Sequence, residues 1–284
     1  MPFNQYGFQE VEYGFHFRQY ATPFLVEGNV ENNRYFTHEA QQNHVFSINN
    51  ALFELVSDAL SILSIVSFSK DSGYYFKYGV MRRLRMIDSS FRSFQSVITP
   101  DRTRPLSSEE SSSVCRDLNS IYIDILGLLD NYAWTMVWQI GSAATRSADP
   151  FAIGLFKPIF AADAALGPMA DILQPFREWE RDVKTRRNPA AHRMPLYVPP
   201  TALTPGDVAE FERLETLTSA ALRAQEFEKL DGLREAKQRL GVLVPRFLHH
   251  PEGPVVDIFP TLPEDIGLAV KIGRIAQIFL REQG

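Results

Sequence analysis

The stretch SSEESSSVCRDLNSIYIDILGLLDNYAWTMVWQI (107–140) decides the fold. Ser107 followed three residues later by Glu110 is a capping box, in which each side chain satisfies the other residue's backbone N–H. Val114, Leu118, Ile121, Ile125, Leu128 and Tyr132 then recur at alternating steps of four and three. That period predicts one continuous helix with a buried stripe reaching about Ile140. A second line, Asp117, Ser120, Asp124, Gly127 and Asn131, holds polar or small residues. Such a line predicts close approach of a neighbouring helix, with a polar site as the rarer alternative.

Working outward, Val45, Ile48, Leu52, Leu55, Ala59 and Ile62 give a second amphipathic helix over 38–68. Asp71-Ser72-Gly73 ends it, and another helix is expected over 74–97. Residues 161–187 read as a helix bent or restarted at Gly167-Pro168 and Pro175. Four prolines in 194–206 predict a linker or extended strap, followed by one charged helix over about 207–240. VLVPRFLHH and PVVDIFP, separated by Pro251-Glu252-Gly253, predict a hairpin, and a last helix runs over 263–281. The aromatic-rich start, with alternation in EYGFHFRQY, predicts a strand that pairs with the 242–259 hairpin. The expected protein is mainly α: an N-terminal β-rich extension (1–37), a helical domain (38–200), and a C-terminal helix, hairpin and helix packed on it (201–284).

Composition limits the function. The chain has 284 residues, 45% hydrophobic and 22% charged, with a net charge of −5, so a histone-like coat on nucleic acid is excluded. One cysteine, Cys115, excludes an internal disulfide framework and multi-thiolate zinc sites, and points to the cytoplasm. The start resembles no signal peptide. The most apolar runs, ALSILSIVSF (59–68) and IYIDILGLL (121–129), fall short of the roughly 18 apolar residues of a bilayer span, so no membrane partner is expected.

Several motifs fail on geometry. His38-Glu39 and His44 lack the four-residue histidine spacing of a zinc-protease helix. Ser67-Phe68-Ser69-Lys70 lacks the companion motifs of penicillin-recognising enzymes and reads as a polar helix end. His249-His250 reads as surface and Cys115 as a buried thiol. No glycine-rich phosphate loop occurs, and no metal or cofactor is expected.

PFREWERDVKTRRNPAAHRMP (175–195) stands apart, carrying six cations against three acids in an acidic chain. Phe176, Trp179 and Val183 form a docking face, while Arg177, Arg181 and Lys184 project cations on another. Asn188-Pro189 reads as a cap and first helical position, so the helix is expected to break near Arg187 and restart, setting His192 in the new first turn. Arg-Asn with a histidine five residues after the arginine is expected by chance about 0.02 times in this composition. A surface helix end with a capping asparagine and a solvated histidine would carry the same residues.

Arg187-Asn188-Pro189-Ala190-Ala191-His192 resembles the R-x4–6-H signature of HEPN domains. DLNSIYIDILGLLDNYAW (117–134), with RPLSSEE ahead of it, is similar to bacterial HEPN-like proteins of unassigned role, and the resemblance covers roughly 38–200. It implies an antiparallel helical bundle, usually a homodimer, that cleaves RNA without metal and leaves 2′,3′-cyclic phosphate ends. Arg187 and His192 would be catalytic, and Arg177, Arg181, Lys184 and Arg193 would contact the RNA. Asn188 would orient the loop, and Asp182 with Arg186, matching the family's upstream E-x3-K-R positions with aspartate for glutamate, would form a supporting ion pair. A toxin or phage-defence context follows, with a protein antitoxin or regulator as partner. The alternative is a non-catalytic module that binds nucleotide, RNA or protein.

Overall fold

The computed structural model describes residues 30–283; the side chains of residues 30–40 and of His192 lie outside that description. The expected N-terminal strand and its pairing also fall outside it. In chain order the helices are α1 (Val30–Ile65), α2 (Lys70–Tyr75), a π turn (Phe76–Val80), α3 (Met81–Val97), α4 (Ser108–Ile140), α5 (Ala143–Arg146), α6 (Pro158–Ala162), α7 (Gly167–Ile172) and α8 (Arg177–His192). Then come α9 (Val208–Arg223), α10 (Phe227–Gln238), strands β1 (Arg246–Phe247) and β2 (Val256–Asp257), and α11 (Ile258–Glu282). The protein is mainly helical with a small two-stranded sheet.

The capping box forms as its spacing requires. Ser107 Oγ accepts from the Glu110 N–H, and Glu110 accepts from the Ser107 N–H at 2.9 Å. All six residues of the 107–140 stripe are buried, and so are Tyr122, Leu129, Ala133 and Met136, because α4 is wrapped on several sides. The polar line resolves as close packing. Gly79 lies against the Asn131 side chain, where a Cβ would stand 2.2 Å from its oxygen, and Gly127 lies against the Arg83 guanidinium, where a Cβ would stand 2.7 Å from its carbon. The guanidinium reaches past that glycine to buried Asp124. Pairing of 79 with 131 and of 90 with 120 makes α3 and α4 antiparallel.

α11 runs the other way. Tyr122 bonds Asp265 and Tyr132 bonds Gln277, so α11 lies parallel to α4. It also packs on α1, where Gly273 admits Leu55 and Arg274 pairs with Glu54. The C-terminal helix therefore shares one hydrophobic core with α1, α3 and α4. The stretch Gln41–Ile65 of α1 is long and apolar enough, by length and composition, to cross a membrane, a property the run-by-run sequence reading did not find. Its Ile48, Leu52, Leu55, Ala59 and Ile62 are core residues.

Two local expectations are corrected, and two are met by shorter elements. The 207–240 helix is two helices, broken at Gln225, whose φ of 59° turns the chain back so that α10 packs on α9. The 161–187 helix is α6, α7, a 3-10 turn at Gln174–Phe176 and then α8, restarting at the predicted prolines. The hairpin strands shrink to two residues each, Phe247 facing Val256, while the proline strap pairs alongside through Tyr197↔Leu248 and Ala202↔Val242. Finally, no break occurs at Asn188: α8 runs through Pro189 to His192. Pro189 removes one N–H of the ladder, but it lies in the last turn, where Ala190 packs on the core and Arg193 N–H bonds the Pro189 carbonyl at 2.8 Å. Ser69, by contrast, does cap a helix, accepting from Ser72 N–H at the start of α2.

Gly79→Ala pushes a methyl into the Asn131 side chain, and denaturant unfolding should show a loss of about 1–3 kcal/mol. Glu110 is held down to about 2, mainly by its hydrogen bond from Arg102 against the cost of burial. Between about pH 4.5 and 2 the unfolded chain therefore binds the extra proton, so this contribution is intact above pH 4.5 and is lost as pH falls toward 2. Melting temperatures across that range should fall less steeply in Glu110→Gln than in the parent.

Candidate functional site: a cationic cleft on α8

α8 is fixed from beneath. Asp265 of α11 is buried and accepts four bonds: two from Arg186 Nη1 (2.9 and 2.7 Å), one from Tyr122 (2.8 Å) and one from Trp179 (3.0 Å). Burial pushes the Asp265 carboxyl up to about 6, against the pull of Arg186, Tyr122 and Trp179, and still leaves it ionised at neutral pH. Burial likewise raises the Tyr122 hydroxyl far above its usual range, so it stays a donor. The expected Asp182–Arg186 pair is thus not formed: Arg186 points inward to Asp265, and Asp182 stays exposed. A buried carboxylate on another helix outcompetes a solvated neighbour one turn away, because desolvated charge must find its partner inside.

One residue further on, Arg187 enters a cleft of about 430 Å³ between α4, α8 and residues 150–157. Asp130, Lys157, Lys184 and Asn188 line it with Arg187, over an apolar floor that includes Leu126, Leu129 and Ile153. Arg187 donates to Asn188 Oδ1 at 3.3 Å, while its buried Nε has no acceptor among the described residues. Lys184 pairs with buried Glu180. Asp130 makes no hydrogen bond or ion pair with any described residue. Its carboxylate has accessible surface, yet it faces a concave wall that displaces bulk water, and this burial raises it against the opposing charges of Arg187, Lys184 and Lys157. Asn188 does not cap a helix; it lies on the cleft wall instead.

The remaining expected residues divide. Arg193 lies with Lys184, Thr185, Asn188 and Pro189 around an adjoining hollow of about 560 Å³. Arg177 is engaged by Gln174 (2.8 Å) and the Phe156 carbonyl (3.4 Å), so it braces the 156 turn. Arg181 is exposed and lines neither cavity. His192 is the last residue of α8. Five residues on a continuous helix turn about 500°, which sets positions 187 and 192 about 140° apart around the axis.

Sequence reasoning missed Asp130, Glu180, Lys157 and Phe151. Of the polar line on α4, Asp124 pairs with Arg83 of α3 and Asn131 lies against Gly79, and neither lines the cleft. The overlooked signal is an acid in an apolar face: Leu126, Asp130 and Trp134 recur every four residues. Among the described residues no group of three His, Cys, Asp or Glu side chains gathers to hold a metal ion. Cys115 is half-buried and its Sγ accepts from Val198 N–H at 3.4 Å. His249 bonds the Met194 carbonyl at 3.0 Å, tying hairpin to strap.

Asp265→Ala strands the Arg186 charge and two further donors, and urea unfolding should show a loss of about 3–5 kcal/mol. Asp265→Asn, which keeps an acceptor, should cost less. Comparison with known protein families, with curated proteins and with solved structures finds no match to this chain.

Proposed function

We propose that the chain is a HEPN-like, metal-independent endoribonuclease in which Arg187 binds the scissile phosphate and His192 moves the proton. The observation that carries this is Arg187: a guanidinium in a cleft, its Nε without an acceptor among the described residues, flanked by Lys184 and Lys157. A guanidinium offers fixed, paired donors to phosphate oxygens, and partial burial strengthens them. RNA supplies its own nucleophile. His192 takes the 2′-OH proton, the 2′ oxygen bonds to phosphorus, and the P–O5′ bond breaks as the 5′ oxygen gains a proton from water, giving a 2′,3′-cyclic phosphate and a 5′-hydroxyl. Arg187 and the lysines stabilise the added charge on phosphorus. The cationic patch is small, which suits an acidic chain that touches RNA at one place. A cytoplasmic homodimer held in check by a protein antitoxin or regulator, in toxin or phage-defence use, belongs to the same reading.

A second reading has its own observation. The unbroken α8 sets positions 187 and 192 about 140° apart, which suits a module that binds RNA or nucleotide at the cleft and does not cleave it. Incubation with total RNA in EDTA separates the two. Under the nuclease reading the parent cleaves and leaves cyclic phosphate ends. His192→Ala loses about 10²–10⁴-fold in rate but keeps RNA binding, and Arg187→Ala loses both. Cleavage that persists in both variants overturns the residue assignment; binding without cleavage establishes the second reading.

A further inference from the structure

The cleft around Arg187 is not a plain phosphate groove. Lys157, Lys184 and Arg187 stand against Asp130 and Glu180, so its charge is close to balanced. Glu180 is consumed by Lys184. Asp130 is not consumed: its two oxygens have no donor among the described residues, although residue 154 lies close to them, where a Cβ would stand 3.6 Å from Oδ1. A carboxylate facing a phosphodiester costs affinity unless it receives donors from the same ligand. A ligand that fits therefore carries both an anion and N–H donors.

The rest of the lining is largely apolar. Leu126, Leu129 and Ile153 line the cleft together with Asp130 and Arg187, and the Trp134 ring, also in the lining, stacks on Tyr75 at 5.3 Å. Phe151 lies on the rim with 90% of its surface exposed. It sits on the short turn Pro150–Ala152, where Asp149 Oδ1 accepts its N–H at 2.8 Å. A ring held in water beside cations is the arrangement that receives an unpaired base by stacking. A cleft of about 430 Å³ is nucleotide-sized.

Among the bases, guanine alone presents two adjacent donors, N1–H and the 2-amino group, to match two carboxylate oxygens. Adenine and cytosine each set an acceptor beside their amino donor, and uracil flanks one N–H with two acceptors.

We propose that this cleft is a guanine-selecting subsite: Asp130 accepts from the guanine edge, Phe151 and Trp134 flank the base, and Arg187 with Lys157 holds its phosphate. The inference rests on the RNA reading of the Arg187 cleft and adds the identity of one unpaired nucleotide. Because Asp130 is exposed and bonds no described residue, Asp130→Asn leaves the fold intact, which circular dichroism checks.

The test is fluorescence anisotropy with labelled single-stranded pentaribonucleotides carrying one G, A, C, U or inosine in an otherwise uniform context, with GMP as competitor. The parent is expected to prefer the G oligonucleotide over the A one by about 10- to 100-fold, and inosine, lacking the 2-amino donor, to lose most of that preference. Asp130→Asn should cut the preference to about twofold while the A oligonucleotide binds as before, and Phe151→Ala should weaken every single strand. Effective competition by GMP identifies a free guanine nucleotide as ligand; competition only by the oligonucleotide identifies RNA. Equal binding of all bases, still lost in Arg187→Ala, overturns the guanine subsite and leaves the RNA reading standing. Binding that survives Arg187→Ala, or no binding of any oligonucleotide or of GMP, overturns the RNA reading and the subsite with it.

Discussion

Asp265 is the point on which the arrangement of α4, α8 and α11 depends. It sits in the core on α11 and receives Tyr122 from α4 and Trp179 and Arg186 from α8. An ionised carboxylate in such a place is costly unless its lone pairs are filled, and four bonds fill them. The consequence is positional. Arg186 is committed to the interior, so the next residue leaves the helix about 100° further round, which is where the cleft opens. Two adjacent arginines divide the work: one orients α8, and the other faces the cavity.

Much of the frame was legible because it obeys local rules. The capping box at Ser107 and Glu110, the apolar stripe of α4 and the close-approach line through Gly127 are all written within one segment, and all formed. Local rules also misled. Asn188-Pro189 has the chemistry of a cap and first turn, yet Ala190 packing on the core keeps the helix running. Asp182 and Arg186 have ion-pair spacing, yet a buried acid nearly eighty residues away takes the arginine. The Gln225 break was invisible because a left-handed glutamine carries none of the glycine or asparagine signal that marks such turns.

The site was half legible for the same reason. Arg187, Lys184, Asn188 and Arg193 lie in one charged segment and could be picked from its composition. Asp130, Phe151 and Lys157 come from other segments, each unremarkable in its own sequence context, and only folding brings them to one cavity. Asp130 is one position off the polar line of α4. One helical step is enough to change the partner from α3 to α8.

The two glycine contacts between α3 and α4 have a kinematic consequence. Gly79, in the π turn before α3, receives a side chain of α4, while Gly127 of α4 receives a side chain of α3, so the recesses are reciprocal. A slide of one turn would set Tyr75 or Arg83 where Gly79 stands and Ile123 or Asn131 where Gly127 stands, and none of these can make room. Shear along this interface is closed in both directions. The face that α4 turns toward the cleft therefore keeps its height relative to the rest of the bundle, and Asp130 is held there like a fixed stop.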